Sequence, residues 1–172
     1  MDACKLHEPE IDSRDFRSAL GLFPTGVAVV TADGPQEGER IGMTITSFNS
    51  VSMQPPLVLF SIGRKALSLP ALKAAGAYSI NVLGEDHKHV SARFATSGGD
   101  KWAGMEVDHH EGLPFTLPHS IVSFQCAAHA QHDGGDHVIF VGRVLRIQRR
   151  ASAAPLVFFG GQYARLEAAV LA

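Results

Sequence analysis

The sequence predicts a mainly β fold, an antiparallel barrel with peripheral helices. Six or seven short runs, apolar or alternating, are punctuated by Gly, Pro, Asp and Asn clusters, and only two or three segments carry helical spacing. A third observation is the stretch Asp133-Gly134-Gly135-Asp136-His137-Val138, a tight turn between two such runs. With 172 residues, 45% hydrophobic and 19% charged, the chain suits one core rather than two. A formal net charge of -2 argues against a dedicated nucleic-acid binder, which needs a clustered cationic surplus.

Residues 1–13 are expected to form a flexible tail before a single domain over 14–168. The tail has no apolar signal-like core, and no run of about 20 apolar residues occurs anywhere, so a soluble cytoplasmic protein without membrane association is expected. Cys4 and Cys126 have no framework spacing and fit a reducing compartment. Asp12 or Ser13 can cap a helix in which Phe16, Ala19, Leu20 and Phe23 recur on one face, and this face is expected to pack against the domain. Pro24 and Gly26 end it.

Residues 27–32 form the first strand and 41–48 the second, joined by a polar loop. Within the second, Gly42-Met43-Thr44-Ile45-Thr46-Ser47-Phe48 is dense in hydroxyl side chains. Such a row can pair across strands on a solvated face, or it can supply donors and acceptors to the polar edge of a flat ligand. Ser52-Met53-Gln54-Pro55-Pro56 is a rigid turn, and 57–62 is a continuously apolar strand. Arg64, Lys65 and Ser68 then surround a helix start, with Pro70 in its first turn. That corner is either an anion site or a capped helix beside two solvated charges.

Residues 78–83 give a further strand, and Asp86 can cap a helix that buries Val90 and Phe94. The irregular stretch from 95 to 118 is long enough to cover something. Residues 121–132 alternate, with Val122, Phe124 and Cys126 on one face and Ser123, Gln125 and His129 on the other, as in a half-buried strand. Residues 138–147 are apolar on both faces, which makes a homodimer plausible, and the tail around Phe158-Phe159-Gly160-Gly161-Gln162-Tyr163 turns on two glycines.

Three chemistries compete on these residues. His129, His132, Asp133, Asp136 and His137 are close in sequence, but His129 and His132 differ by three on a strand, and no cysteine pair or HExxH helix supports a metal-dependent hydrolase. Serines are plentiful without a GxSxG elbow. The hydroxyl row, the apolar strands, the Arg64/Lys65/Ser68 corner and the His137 turn match in kind what a bound flavin needs, a cofactor that carries its own chemistry.

Pro24-Thr25-Gly26-Val27-Ala28-Val29-Val30-Thr31, Gly42-Met43-Thr44-Ile45-Thr46-Ser47-Phe48, Ser50-Val51-Ser52-Met53-Gln54-Pro55-Pro56-Leu57, Phe94-Ala95 and Gly135-Asp136-His137-Val138-Ile139 occur in that order. The ordered set resembles the flavin reductase-like family of split-barrel flavoproteins. The resemblance implies a homodimeric, six-stranded antiparallel Greek-key barrel that binds FMN or FAD and takes hydride from NADH or NADPH. It also implies a separate flavin-dependent monooxygenase that receives the reduced flavin. By similarity, Thr44, Thr46, Ser47, Phe48 and Ser61 line the flavin, Arg64, Lys65 and Ser68 approach its phosphate, and Phe94 lies beyond. His137 stands by the nicotinamide, with Tyr163 nearby. Ile45 departs from the small residue usual in the family. A non-catalytic flavin- or haem-binding protein on the same barrel is the alternative reading.

Overall fold

In the computed structural model, residues 10–150 and 154–166 are described, so the first nine residues of the expected tail and Cys4 lie outside the described residues. Asp12 accepts the amides of Arg14 and Asp15 at 2.8 and 3.0 Å, and helix α1 (Ser13–Gly21) begins at the expected cap. Its apolar face does not pack on the domain. No residue of α1 is buried, and Phe16 and Leu20 are 54% and 58% exposed.

Strands β1 (Thr25–Gly26), β2 (Ala28–Asp33) and β3 (Arg40–Ile45) follow. The second predicted strand ends three residues early, because the chain bends at Thr46 and Ser47 and starts β4 (Asn49–Met53), an element the two prolines concealed. β4 pairs with β5 (Pro56–Gly63), which leads into the short helix α2 (Leu69–Ala74) and β6 (Ala77–Val82). Asp86 caps nothing. It lies in a 3-10 turn, Glu85–His87, ahead of α3 (Lys88–Ala95), and faces His87 and Arg150 instead.

The irregular stretch holds a small hairpin, β7 (Asp108–His110) and β8 (Leu113–Thr116). Two long strands, β9 (Val122–Gly134) and β10 (His137–Arg149), and two short ones, β11 (Val157–Phe159) and β12 (Gln162–Ala164), complete the fold. Seven strands form one antiparallel sheet in the order β3-β2-β6-β9-β10-β5-β4, while β1, β11 and β12 form a second and β7 and β8 a third. The sheet is open, because no ladder joins its edge strands β3 and β4.

Alternation on β2 explains why it is apolar throughout: Ala28, Val30 and Ala32 enter a core with Phe60, Ile62, Tyr78, Ile80, Cys126 and Phe140, whereas Val27 and Val29 face a second core with Val90, Phe94 and Leu117. The first core takes residues from six strands, so the open sheet curls around it, and Leu69 and Leu72 of α2 close one end.

The half-buried reading of β9 needs correction. Its first part is covered on both faces: Ser123 and Gln125 are 4% and 0% exposed. Gln125 Nε2 donates to Pro114 O at 2.6 Å, and Ser79 Oγ donates to the same carbonyl at 3.2 Å. Asn81 joins the layers, donating to Val29 O and Thr31 Oγ1 and accepting from Leu117 N and Ser123 Oγ. Polar side chains on β6 and β9 are thus buried because the β7–β8 stretch lies over them and shares their hydrogen bonds. The far part of β9 is exposed, and a bulge leaves His129 without an opposite residue on β10.

Candidate functional site

The β9–β10 hairpin closes through Gly135 and Asp136, since Gly134 pairs with His137. Only Gly135 has a positive φ, 73°, which matches the II′ turn with glycine at its first central position. Asp133 Oδ1 accepts the Gly135 amide at 2.8 Å, fixing the turn from within. Arg64 fixes it from outside: its amide donates to Asp136 O, its Nε to Gly135 O at 2.7 Å, and its Nη2 meets Asp133 Oδ2 at 2.6 Å.

His137 is therefore held at the mouth of the sheet, opposite Gly63 of β5. Its Nδ1 lies 2.6 Å from Asp136 Oδ1, and this bond holds the Asp136 carboxyl below the usual carboxylate range. The Nε2 edge faces Gly63, where an added Cβ would sit 3.6 Å from it. Glycine keeps this part of the β5 edge open.

On the other wall, the early end of β3 places the hydroxyl row. Thr44 Oγ1 donates to Ser91 O of α3 at 2.7 Å. Ser47 Oγ accepts Ser61 N at 2.9 Å and donates to Ser61 O at 3.1 Å. Met43, Thr44, Thr46, Ser47, Ser61 and His137 line a cleft of about 520 Å3, with Ile45, Ile62, Gly63, Gly134 and Ile139 completing it. Ile45, the departure from the family pattern, is 5% exposed and belongs to the core as well as to this wall.

Met43 and Thr44 are also walls of a second cavity of about 520 Å3, which runs past Ser68 and Phe94 to the loop Thr96-Ser97-Gly98-Gly99 and to Lys101 and Trp102. Ser68 Oγ is buried there without a hydrogen-bond partner. It occupies the N-cap position of α2 but does not bond the helix amides, so its hydroxyl is available to a ligand. Partial burial lowers the pKa of Lys101, whose Nζ sits 3.4 Å from Phe94 O.

The structure thus gathers Thr44, Thr46, Ser47, Ser61 and His137 in one cleft, with Ser68 and Phe94 in the cavity that adjoins it at Thr44. Phe48 packs on Phe124, ring centroids 5.3 Å apart, and lines neither space. Arg64 is engaged with the hairpin, Lys65 is exposed, and neither lines the cavities. Tyr163 donates to Ser91 Oγ at 2.9 Å, behind α3 rather than in the cleft. Gly63, Ile139, Gly98, Gly99, Lys101 and Trp102 were not singled out as site residues by sequence. Their positions depend on pairing between distant strands and on the fold of the irregular stretch, although the Gly98-Gly99 pair in a loop was a visible cue. Among the described residues, no group of three or more His, Cys, Asp or Glu is placed to hold a metal ion. No described helix is long and apolar enough to cross a membrane.

Fold and site define a curled antiparallel sheet with two adjoining cavities that share Met43 and Thr44 as walls. The flavin reductase like domain matches residues 20–167, and the chain belongs to that family. It is 46% identical over 155 residues to the FMN reductase (NADH) SmoA of Agrobacterium fabrum, covering 90% of this chain and 86% of the relative. It is 37% identical to the flavin-dependent monooxygenase reductase subunit HsaB of Rhodococcus jostii, covering 91% and 80%. The solved Streptomyces globisporus NADH:FAD oxidoreductase SgcE6, in complex with NAD and FAD fragments, superposes with a TM-score of 0.85 at 32% identity, covering 95% of this chain and 99% of that one.

Proposed function

We propose that the protein is an NAD(P)H:flavin oxidoreductase that reduces FMN or FAD and supplies the reduced flavin to a separate monooxygenase. The observation that carries this reading is the pair of cavities meeting at Met43 and Thr44, one walled by hydroxyls and His137, the other ending at the unpartnered Ser68 hydroxyl. The fit to a flavin is good in kind: a flat ring system suits the first, and a polar phosphate-bearing tail suits the second. The names of the relatives, an NADH-dependent FMN reductase and a monooxygenase reductase subunit, support the same reading and favour NADH.

Bound flavin supplies the hydride acceptor, so the chain's own residues have a positioning task. Thr44, Thr46, Ser47 and Ser61 orient the polar edge of the ring system. Ser68, Lys101, Gly98 and Gly99 would receive the phosphate end, with Phe94 in the same wall. His137, fixed by Asp136 and by a hairpin that Arg64 braces, forms the wall against which the nicotinamide is placed. Arg64, assigned to the phosphate by resemblance, is better read as a positioning residue, because its Nε and Nη2 are already engaged by the hairpin. Phe48, Lys65 and Tyr163 stand outside both cavities and are given no direct contact with the flavin.

We read the curled sheet as the six-stranded Greek-key split barrel of the family, β3-β2-β6-β9-β10-β5, with β4 as an extension and a domain spanning 14–168. The exposed apolar face of α1 supports a homodimer. Steady-state oxidation of NADH and NADPH against FMN, FAD and riboflavin tests the activity. Turnover that scales with added flavin is expected; a yellow protein that never oxidises either nucleotide replaces the reductase with a flavin carrier.

A further inference from the structure

A third space lies away from the flavin cleft and shares no lining residue with it. The turn Glu85–His87 and the start of α3, with segments 104–106 and 117–120, enclose about 380 Å3. Leu83, Val90, Met105 and Leu117 give it apolar walls, and His87, His89 and His119 bring three imidazoles to it. A concave apolar site with a few polar groups is the usual form of a small-molecule pocket.

Two features mark the residues that bring these polar groups. The His87 side chain is 12% exposed, and its Nδ1 makes no hydrogen bond although Asp86 Oδ1 lies 3.4 Å away. His119 adopts a left-handed backbone, φ 64°, uncommon for a residue with a side chain, and Arg150 Nη1 donates to its carbonyl at 3.1 Å.

The chemistry of the lining selects the ligand. Burial first, then the neighbouring His89, Arg150 and His119, lower the pKa of His87 against the opposing pull of Asp86, which favours the neutral ring. His87 Nδ1, buried and without a hydrogen bond, is left for a ligand group to satisfy. A neutral hydroxyl can do so as donor or acceptor, whereas a carboxylate meets Asp86 and Glu106 as well. The apolar walls suit an aromatic ring, and the volume, well above the roughly 150 Å3 that takes up benzene, leaves room for ring substituents.

We propose that this cavity is a second ligand site for a single uncharged aromatic ring bearing a hydroxyl, of the phenol class, and that its occupancy is coupled to the flavin cleft through α3. Val90 lines the new site, Ser91 takes hydrogen bonds from Thr44 and Tyr163, and Phe94 lines the flavin side, all within one eight-residue helix. The coupling rests on the flavin reading; the binding does not.

Calorimetric titration of phenol into the full chain, with and without saturating FMN, is the test. One site per chain is expected, with a Kd of about 0.1–1 mM for so small a ligand, retained in the presence of FMN but shifted in affinity. His87→Leu is expected to weaken phenol binding about tenfold, and benzoate to bind at least about tenfold more weakly than phenol. His119→Gly removes a second imidazole while relaxing the backbone, so a folded variant with weakened binding is expected even if His87→Leu misfolds. Loss of saturable binding, exclusion of phenol by FMN, or unchanged affinity in both variants overturns the site. Phenol must shift FMN affinity by the factor by which FMN shifts phenol affinity; independent binding of the two overturns the coupling. Phenol binding by a chain that takes up no FMN counts against the flavin reading and leaves the site standing.

Discussion

One hydroxyl, that of Ser47, both accepts the amide of Ser61 and donates to its carbonyl, at 2.9 and 3.1 Å. β4 pairs with β5 only as far as Leu59, so Ser47 acts as the next rung of a ladder whose strand has already turned away. It fixes the wall of the cleft at the point where the sheet opens. Ser47→Ala leaves a partly buried amide and carbonyl unpaired and is expected to cost about 1–2 kcal/mol, read as a lower urea midpoint. Flavin affinity should fall with it, by about tenfold on the same scale. Unaltered stability and flavin affinity would remove Ser47 from this role.

His137 is braced on the side away from Gly63 by Asp136 and presents its other edge to the cleft. His137→Ala is therefore expected to raise the KM for NADH about tenfold and lower kcat, while the Kd for FMN changes by less than about twofold, the pattern of a group that positions one substrate and not the other. A loss of FMN binding with unchanged KM for NADH assigns the histidine to the flavin instead.

Gly42 has an ordinary backbone, but a Cβ there would lie 2.4 Å from Phe94 Cε1 and 2.9 Å from Trp102 Cζ2. The contact lets α3 and the irregular stretch close on β3. Gly42→Ala forces both rings to shift and should cost about 1–3 kcal/mol through overpacking. Thermal melting checks it: a Tm several degrees below that of the unmodified chain is expected, and an unchanged Tm would mean that the rings yield freely.

Local chemistry explains what was legible in the sequence. The Asp12 cap, the Gly135 turn and the strand cores depend on neighbours in the chain, and Thr44, Ser47, Ser61 and His137, to which the family motifs pointed, line one cleft. Elements that depend on distant partners were not legible. Ser123 and Gln125 read as a solvated face because nothing local announces that Asn81 and Pro114 will take their hydrogen bonds. The polar content of 41–48 gave no hint that β3 ends at Ile45, since that bend is stabilised by a residue 14 positions away. Arg64 beside a helix start reads as an anion ligand, and only the folded hairpin shows its Nε and Nη2 bonded to Gly135 and Asp133.

The stability of the folded chain should depend on pH through His87. Its folded-state pKa is lowered, chiefly by burial, so the unfolded chain binds the proton more readily. The penalty is absent well above the ordinary imidazole range and grows as pH falls through it toward the folded-state value. Denaturant unfolding between pH 8 and about pH 5, spanning the unperturbed histidine pKa, should show falling stability, and His87→Gln should flatten part of that fall. A parallel pH profile in the variant would place the titration elsewhere.

Helix α1 is capped and regular yet buries nothing, and Phe16, Leu20, Leu22 and Phe23 are 54%, 58%, 68% and 72% exposed. Gly160 N donates to Gly21 O at 2.8 Å, tying the end of this helix to the β11–β12 turn, where Phe159 is a further 44% exposed. Exposed apolar surface of this kind on a helix anchored to the domain is what the proposed homodimer would cover, a two-fold contact with a second copy being the simplest closed solution. Light scattering should give a dimer for the unmodified chain and a monomer for Phe16→Asp/Phe23→Asp. Both side chains are already exposed in one chain, so the charges do not enter its core. The double variant should keep a folded circular dichroism spectrum while losing the partner. A dimer that survives both charges would place the interface elsewhere, and a monomeric unmodified chain would leave the face to a different protein.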